Sequence, residues 1–314
     1  MWSHRHLLGI AQLSKGEILH ILDSAERWFG LPRGEVKNVR VLHGRTIVNL
    51  FFESSTRTRT SFEVAGKRLG ADVVNVTPQT SSVTKGETLL DTVRNLEALR
   101  ADAIVLRHPA SGAAAFVASR RRASIVNAGD GAHEHPTQAL LDAFTMRKSK
   151  GRIAGLVVSI CGDIAHSRVA RSNALLLGAL DAEVRLCGPR TLLPRAAEVL
   201  GPTVRTFERM EPALRDADVI MMLRIQTERL GGAAVASNRE YARTFGLNPG
   251  VLALAKPDAI VMHPGPINRG VEIDSRIADG SRSVILSQVE AGVAIRMAVL
   301  EAVVSAGDRE RVSA

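Results

Sequence analysis

The chain predicts an α/β fold of two doubly wound parallel-sheet domains, with the active site in the cleft between them. Three observations lead there. Short apolar runs alternate with helical patterns along the whole length, which is the signature of βαβ units. Runs such as "IVNLFF" and "VIMMLR" do not alternate polar with apolar, as expected of strands covered on both faces. The 314 residues, 45% of them apolar, suffice for two ordinary domains with sizeable cores.

Each element follows in order. "KGEILHILDSAERW" has Ile18, Ile21, Leu22, Ala25 and Trp28 at helical spacing. Strands are expected at "RTIVNLFF", "ADVVNV", "ADAIVLRH" and "SIVNAG" in the first half. In the second half they are expected at "LVVSICGD", "EVRLCGP", "TVRTF", "DVIMMLR" and "AIVMHP". These runs could form one sheet or two. Helices such as "SFEVAGKRLG", "TLLDTVRNLEALR" and "SRVARSNALLLGAL" lie between them. "HPTQALLDAFTMRKSKGRIAG" reads as a long helix ended by charged residues and Gly151, so the boundary is set there. Residues 1–149 form the first domain and 150–290 the second. The last helix, within residues 291–314, is apolar on much of its surface and is expected to pack back on the first domain. The tail "DRERVSA" is expected to fray.

Composition narrows the function. No apolar run has the roughly 18 residues that a membrane span requires, and the N-terminus lacks the apolar core and cleavage site of a secretory signal. Cys161 and Cys187 each sit inside an apolar run, as buried thiols of a cytoplasmic protein would. No C-x-x-C or His-rich spacing suggests a metal. The formal charge of +9 suits either nucleic acid or small anions. The positive residues are dispersed except in "SRRRA" at 119–123, which reads as a helix end, where arginines are favoured. Eight phenylalanines, two tryptophans and one tyrosine support no base-stacking surface, so the charge points to anionic small molecules and not to nucleic acid.

Ligands of open parallel sheets bind beyond the carboxyl ends of the strands. The residues found there are Ser54, Ser55, Thr56, Arg57, Thr58 and Arg59; then Arg107 and His108; then Asp130, His133, His135 and Gln138. In the second half they are His166, Ser167 and Arg168; then Arg224 and Gln226; then His263, Gly265 and Pro266. Cations and amides dominate and carboxylates are few, which describes a pocket for an anion. Residues 55–58 stand where a strand turns into the helix "TSFEVAGKRLG". Unpaired helix N–H groups, three hydroxyls and the Arg57 fork there make a phosphate cradle without the glycines of a nucleotide loop. The plainer reading is a set of helix caps beside solvated arginines. Arg59 reads as structural, paired with Glu53 or Glu63; His133 reads as surface and Asp163 as a loop brace. G-x-G-x-x-G, G-x-x-x-x-G-K-[ST] and G-x-S-x-G are all absent.

Taken together these residues resemble the aspartate carbamoyltransferase family. "FFESSTRTRTSFE" is similar to its carbamoyl-phosphate signature. "SSVTKGETLLDT", "RHP", "NAGDGAHEHPTQALLD", "GDIAHSRVARSN", "LRIQTERL" and "HPGPINRGVEI" match its other blocks in order. The sister ornithine family shares the cradle and the H-P-x-Q block, but its S-M-G loop and H-C-L-P block are replaced here by "LRIQTERL" and "HPGP". The arginine pair Arg168 and Arg224 suits a dicarboxylate better than a cationic side chain.

The resemblance implies roles. Ser55, Thr56, Arg57 and Thr58 would hold the phosphate of carbamoyl phosphate. Thr58, Arg107 and His135 would contact its carbonyl oxygen, and Gln138 its nitrogen. The backbone of Gly265 and Pro266 would also accept from that nitrogen; Gly265 stands where some members have leucine, which a backbone contact tolerates. Arg168, Arg224 and Gln226 would receive aspartate. Ser81 and Lys85 would reach in from the neighbouring subunit, and Arg57, Thr58, Lys85, Arg107 and His135 form the catalytic set. The family's minimal assembly is a homotrimer with shared sites, without metal or organic cofactor, serving pyrimidine (UMP) synthesis in the cytoplasm. The sequence does not reveal whether a regulatory chain or a dihydroorotase-like partner binds the trimer.

Overall fold

The computed structural model describes residues 2–31, 39–77, 86–225 and 237–313. The chain divides into two compact units: Met1–Leu141 together with Val289–Ala314, and Asp142–Gln288. Both divisions fall inside helices, so no linker marks them. The first, after Leu141, precedes the boundary expected near residue 150.

In the first unit the order is α1 (Lys15–Phe29), β1 (Thr46–Phe51), α2 (Thr56–Arg68), β2 (Asp72–Val76), α3 (Leu89–Ala98), β3 (Ala103–His108), α4 (Ala113–Ala118), β4 (Ser124–Asp130) and the start of α5 (Pro136–Lys150), which continues into the second. In the second it is β5 (Val157–Cys161), α6 (Arg168–Ala179), β6 (Glu183–Cys187), β7 (Val204–Phe207), α7 (Met210–Leu214), β8 (Val219–Met222), α8 (Asn238–Phe245), α9 (Pro249–Leu252), β9 (Ile260–Met262) and α10 (Ser275–Ala278). Helix α11 (Ile285–Ser313) begins in the second unit and continues in the first. The tail expected to fray thus continues this helix; Asp308 pairs with Arg45 at 2.8 Å and Arg309 donates to the Trp2 carbonyl at 3.0 Å.

Among the described residues every expected strand forms, and the strands make two parallel sheets. Their orders are β2-β1-β3-β4 and β7-β6-β5-β8-β9. Each sheet therefore reverses its winding once, between β1 and β3 in the first and between β5 and β8 in the second. Such a reversal opens a crevice at the carboxyl edge, because the following connections diverge to opposite faces.

Burial explains the sheets. β1, β3 and β4 are buried over most of their length, whereas the edge strand β2 is exposed at Asp72, Val74 and Asn75. Helix α2 lies on this sheet through Phe62 and Ala65, both fully buried. Its Gly66 permits that closeness, since a Cβ there would come within 2.7 Å of Val73. In the second unit Cys161 and Cys187 face each other in register on β5 and β6, as buried free thiols. A hydrogen bond with Cys187, followed by burial, pushes the Cys161 thiol well above its ordinary range. Among the described residues no helix is long and apolar enough to cross a membrane.

Candidate active site

In the first unit, β1 feeds directly into α2, which starts at Thr56, about one turn earlier than the pattern "SFEVAGKRLG" suggests. Thr56, Arg57 and Thr58 are thus the first turn itself. Ser55 is the N-cap residue but makes no side-chain cap bond, and the first turn carries no acidic residue. The helix start consequently keeps donor N–H groups and its positive dipole end without a carboxylate to satisfy them. Thr58 is buried, Ser55 half-buried, and Thr56 and Arg57 exposed. Desolvation lowers the Arg57 guanidinium from its ordinary value.

Arg107 follows on β3, in register with Phe51 of β1. Its Nε lies 3.3 Å from Glu53 Oε2, and Nη1 donates to the Ala128 carbonyl at 3.2 Å. Glu53 therefore partners Arg107 and not Arg59. The Arg59 guanidinium donates to Thr77 Oγ1 at 3.5 Å, while Glu63 takes Lys67 and Asn75 and feels the charge of Arg59. His108 sits edge-on to Phe52, and its burial lowers its pKa.

Beyond β4 the chain is held by two buried acids. Asp130 accepts from Gly112 N, Glu134 N and Asn127 Nδ2, and lies 3.1 Å from His133 Nδ1. Glu134 accepts from the backbone of Ile10 at 2.7 Å and Ala11 at 3.3 Å. His133 is half-buried against Asp130, where the sequence reads as surface. This brace delivers His135, only 3% exposed, to the start of α5, where its carbonyl accepts from Gln138 N and Ala139 N. Gln138, 8% exposed, lies on the same first turn. Residues 55–58, Arg107, His135 and Gln138 thus lie at the ends of three neighbouring strands, with residues 55–58 and Arg107 flanking the winding reversal.

The second unit repeats the arrangement. Asp163, after β5, is fully buried and braces its loop: Oδ1 accepts from His166 N at 3.2 Å and faces His166 Nδ1 at 2.9 Å. Ser167 caps α6, whose first residue is the buried Arg168. Arg224 follows β8, whose Met222 is in register with Cys161 of β5. Arg168 and Arg224 flank the second winding reversal. After β9 comes the turn with His263, Gly265 and Pro266, joined by a cis peptide between the last two. Gln226, Ser81 and Lys85 lie outside the described residues.

Carboxylates are more frequent at these strand ends than the sequence pattern suggests. Glu53, Asp130, Glu134, Asp163 and Glu272 are all there, and all are engaged by backbone N–H groups, a histidine or Arg107. Glu53 as the partner of Arg107, and Glu272 altogether, were not identified from sequence. Their only signal was a carboxylate beside a motif, which does not reveal its direction.

The family model described as aspartate/ornithine carbamoyltransferase, carbamoyl-P binding domain, matches residues 5–148. That described as aspartate/ornithine carbamoyltransferase, Asp/Orn binding domain, matches residues 154–303. The aspartate carbamoyltransferase catalytic subunit of Sorangium cellulosum is 66% identical over 300 residues, covering 96% of this chain and 93% of that one. Aspartate transcarbamoylase from Trypanosoma cruzi, solved in complex with carbamoyl phosphate and aspartate, matches with a TM-score of 0.85 at 31% identity, covering 95% of this chain and 96% of that one. Ornithine carbamoyltransferase from Pyrococcus furiosus matches with a TM-score of 0.85 at 31% identity, covering 96% and 97%. With both halves matched and a relative of that identity along nearly the whole length, the chain belongs to the aspartate/ornithine carbamoyltransferase family.

Proposed function

We propose that the chain is an aspartate carbamoyltransferase, which moves the carbamoyl group of carbamoyl phosphate to the α-amine of L-aspartate. The products are N-carbamoyl-L-aspartate and phosphate, and the reaction serves pyrimidine synthesis in the cytoplasm. The observation that carries this reading is the 66% identity to the catalytic subunit from Sorangium cellulosum. Shape alone does not choose the amine, because the trypanosomal and Pyrococcus enzymes match with the same TM-score of 0.85. The choice rests on identity and on the replacement of the ornithine-type blocks by "LRIQTERL" and "HPGP".

In this reading the first unit takes carbamoyl phosphate. The α2 start, with Ser55, Thr56, Arg57 and Thr58, holds the phosphoryl group. Thr58, Arg107 and His135 donate to the carbonyl oxygen, and Gln138 contacts the nitrogen. Gly265 and Pro266 offer backbone acceptors to that nitrogen, and Arg168, Arg224 and Gln226 bind the carboxylates of aspartate. Ser81 and Lys85 come from a neighbouring copy in a homotrimer.

The amine nitrogen attacks the carbonyl carbon, and the electron pair of the C=O moves onto oxygen. Donors already aimed at that oxygen stabilise the charge; removing one such donor typically costs about 10²–10³ in rate. The intermediate collapses by breaking the bond to the phosphate oxygen, and the proton lost by the amine ends on the departing phosphate. Holding amine and carbonyl together supplies up to roughly 7–11 kcal/mol of the barrier reduction. His135 acts as a donor to the oxyanion and not as the general base.

The deciding experiment supplies carbamoyl phosphate with aspartate and ornithine in parallel and identifies the products. Carbamoyl aspartate from the first and nothing from the second is the expected result. Citrulline as the main product would replace this reading with the ornithine one.

A further inference from the structure

We propose that His263 is a positioning residue, which as the neutral Nε2–H tautomer fixes the 264–268 turn for the amide end of the acyl phosphate. The proposal rests on the functional reading above and extends it to a residue with no contact to substrate.

The tautomer follows from the hydrogen bonds. Gly265 N–H donates to His263 Nδ1 at 2.8 Å. A ring nitrogen that accepts carries no proton, so the ring proton is on Nε2. Nε2 lies 3.1 Å from Glu272 Oε1, a carboxylate oxygen able only to accept when ionised. The same Oε1 accepts from Asn268 N–H at 2.6 Å. Ring and carboxylate thus tie Gly265 at one end of the turn to Asn268 at the other. The backbone of Gly265 and Pro266 between them is the part assigned to the carbamoyl nitrogen.

The backbone that carries the ring is also held. His263 N–H donates to Gln288 Oε1 at 2.9 Å, and Gln288 Nε2 donates to Asp142 Oδ1 at 2.8 Å. Asp142 Oδ2 accepts from Asn173 Nδ2 at 2.8 Å. The side chains of His263 and Glu272 are fully buried. Glu272 Oε2 accepts no hydrogen bond from the described residues. Burying an imidazole, a carboxylate and an unsatisfied oxygen is unfavourable compared with apolar packing. A turn that only closed the fold would need none of them. Holding backbone acceptors within about half an ångström of a reacting group does need such a locked support.

The test uses the full chain and three variants: His263→Ala, His263→Gln and Glu272→Ala. Two measurements are made on each: kcat/KM for carbamoyl phosphate, and inhibition by acetyl phosphate and inorganic phosphate. Both inhibitors keep the phosphoryl group and lack the amide nitrogen. His263→Ala is expected to lower kcat/KM about 10–100-fold, the scale of a displacement of about an ångström, with both inhibition constants within about twofold of the parent. His263→Gln, whose amide can accept from Gly265 and donate to Glu272, is expected to recover most of the loss. Glu272→Ala, which removes the acceptor shared by His263 Nε2 and Asn268 N–H, repeats the comparison should the His263→Ala variant fail to fold. Equal weakening of all three ligands, or an unchanged kcat/KM, would overturn the proposal while leaving the carbamoyl transfer intact. A parent chain without carbamoyl transfer would overturn the functional reading itself, and that is seen before any variant is measured.

Discussion

Arg107 Nε, at the end of β3, and Glu53 Oε2, just beyond the adjacent parallel strand β1, lie 3.3 Å apart, with side chains only 13% and 15% exposed. The carboxylate orients a guanidinium assigned to the carbonyl oxygen of the substrate. Glu53→Gln is therefore expected to lower kcat/KM about tenfold or more, since donors displaced by an ångström lose rate on that scale. Steady-state kinetics beside a circular dichroism spectrum checks it. Parental kinetics would show that Arg107 is oriented by other groups.

Arg57 stands on the first turn of α2, where no acidic residue neutralises it. Arg57→Ala is expected to reduce carbamoyl transfer by at least about 10²–10³ while the far-ultraviolet spectrum stays unchanged. Near-normal turnover would remove the cradle from the account.

Lys85 is assigned to the neighbouring copy's site. Arg57→Ala and Lys85→Ala chains, each inactive alone, are expected to regain activity when dissociated and reassembled together. Some sites then carry both intact residues. Absence of recovery after mixing has been demonstrated by mass would argue against shared sites.

Gly131 has φ +53, and a Cβ there would lie 2.8 Å from both the Pro109 carbonyl and Ser111 N. Gly131→Ala is expected to destabilise the chain by about 1–3 kcal/mol through backbone strain and the forced shift of residues 109–111. A urea titration at constant m-value measures it. A change under about 0.5 kcal/mol would show that the loop accommodates the methyl group.

Glu17 closes the capping box of α1. Burial would raise its carboxyl, but bonds from Ser14 N–H and Oγ, with His4 alongside, outweigh it and bring the pKa to about 2 from 4.5. A depressed folded-state pKa means stability present above the unfolded value and lost as protons bind. The stability gap between the parent and Glu17→Gln is expected to be full above pH 4.5 and to close as pH falls towards about 2. Urea midpoints across that window follow it; a gap independent of pH would show that the carboxylate charge plays no part.

The order of elements and the crowding of donors at the strand-to-helix junction were legible in the chain itself. Runs such as "IVNLFF" and "VIMMLR" betray buried strands because apolar periodicity is a local property. Ser55, Arg57 and Thr58 stand out because a strand-to-helix junction rich in donors is also local. Which strands are neighbours is not local. Only the folded sheets bring β1 beside β3 and β5 beside β8, and so set residues 55–58 with Arg107, and Arg168 with Arg224, at the winding reversals. The same holds for the direction of a carboxylate. Glu53 turns to Arg107 and Glu272 to His263 across contacts that pattern and spacing do not encode, because a buried charge takes whichever donor the packed chain delivers to it.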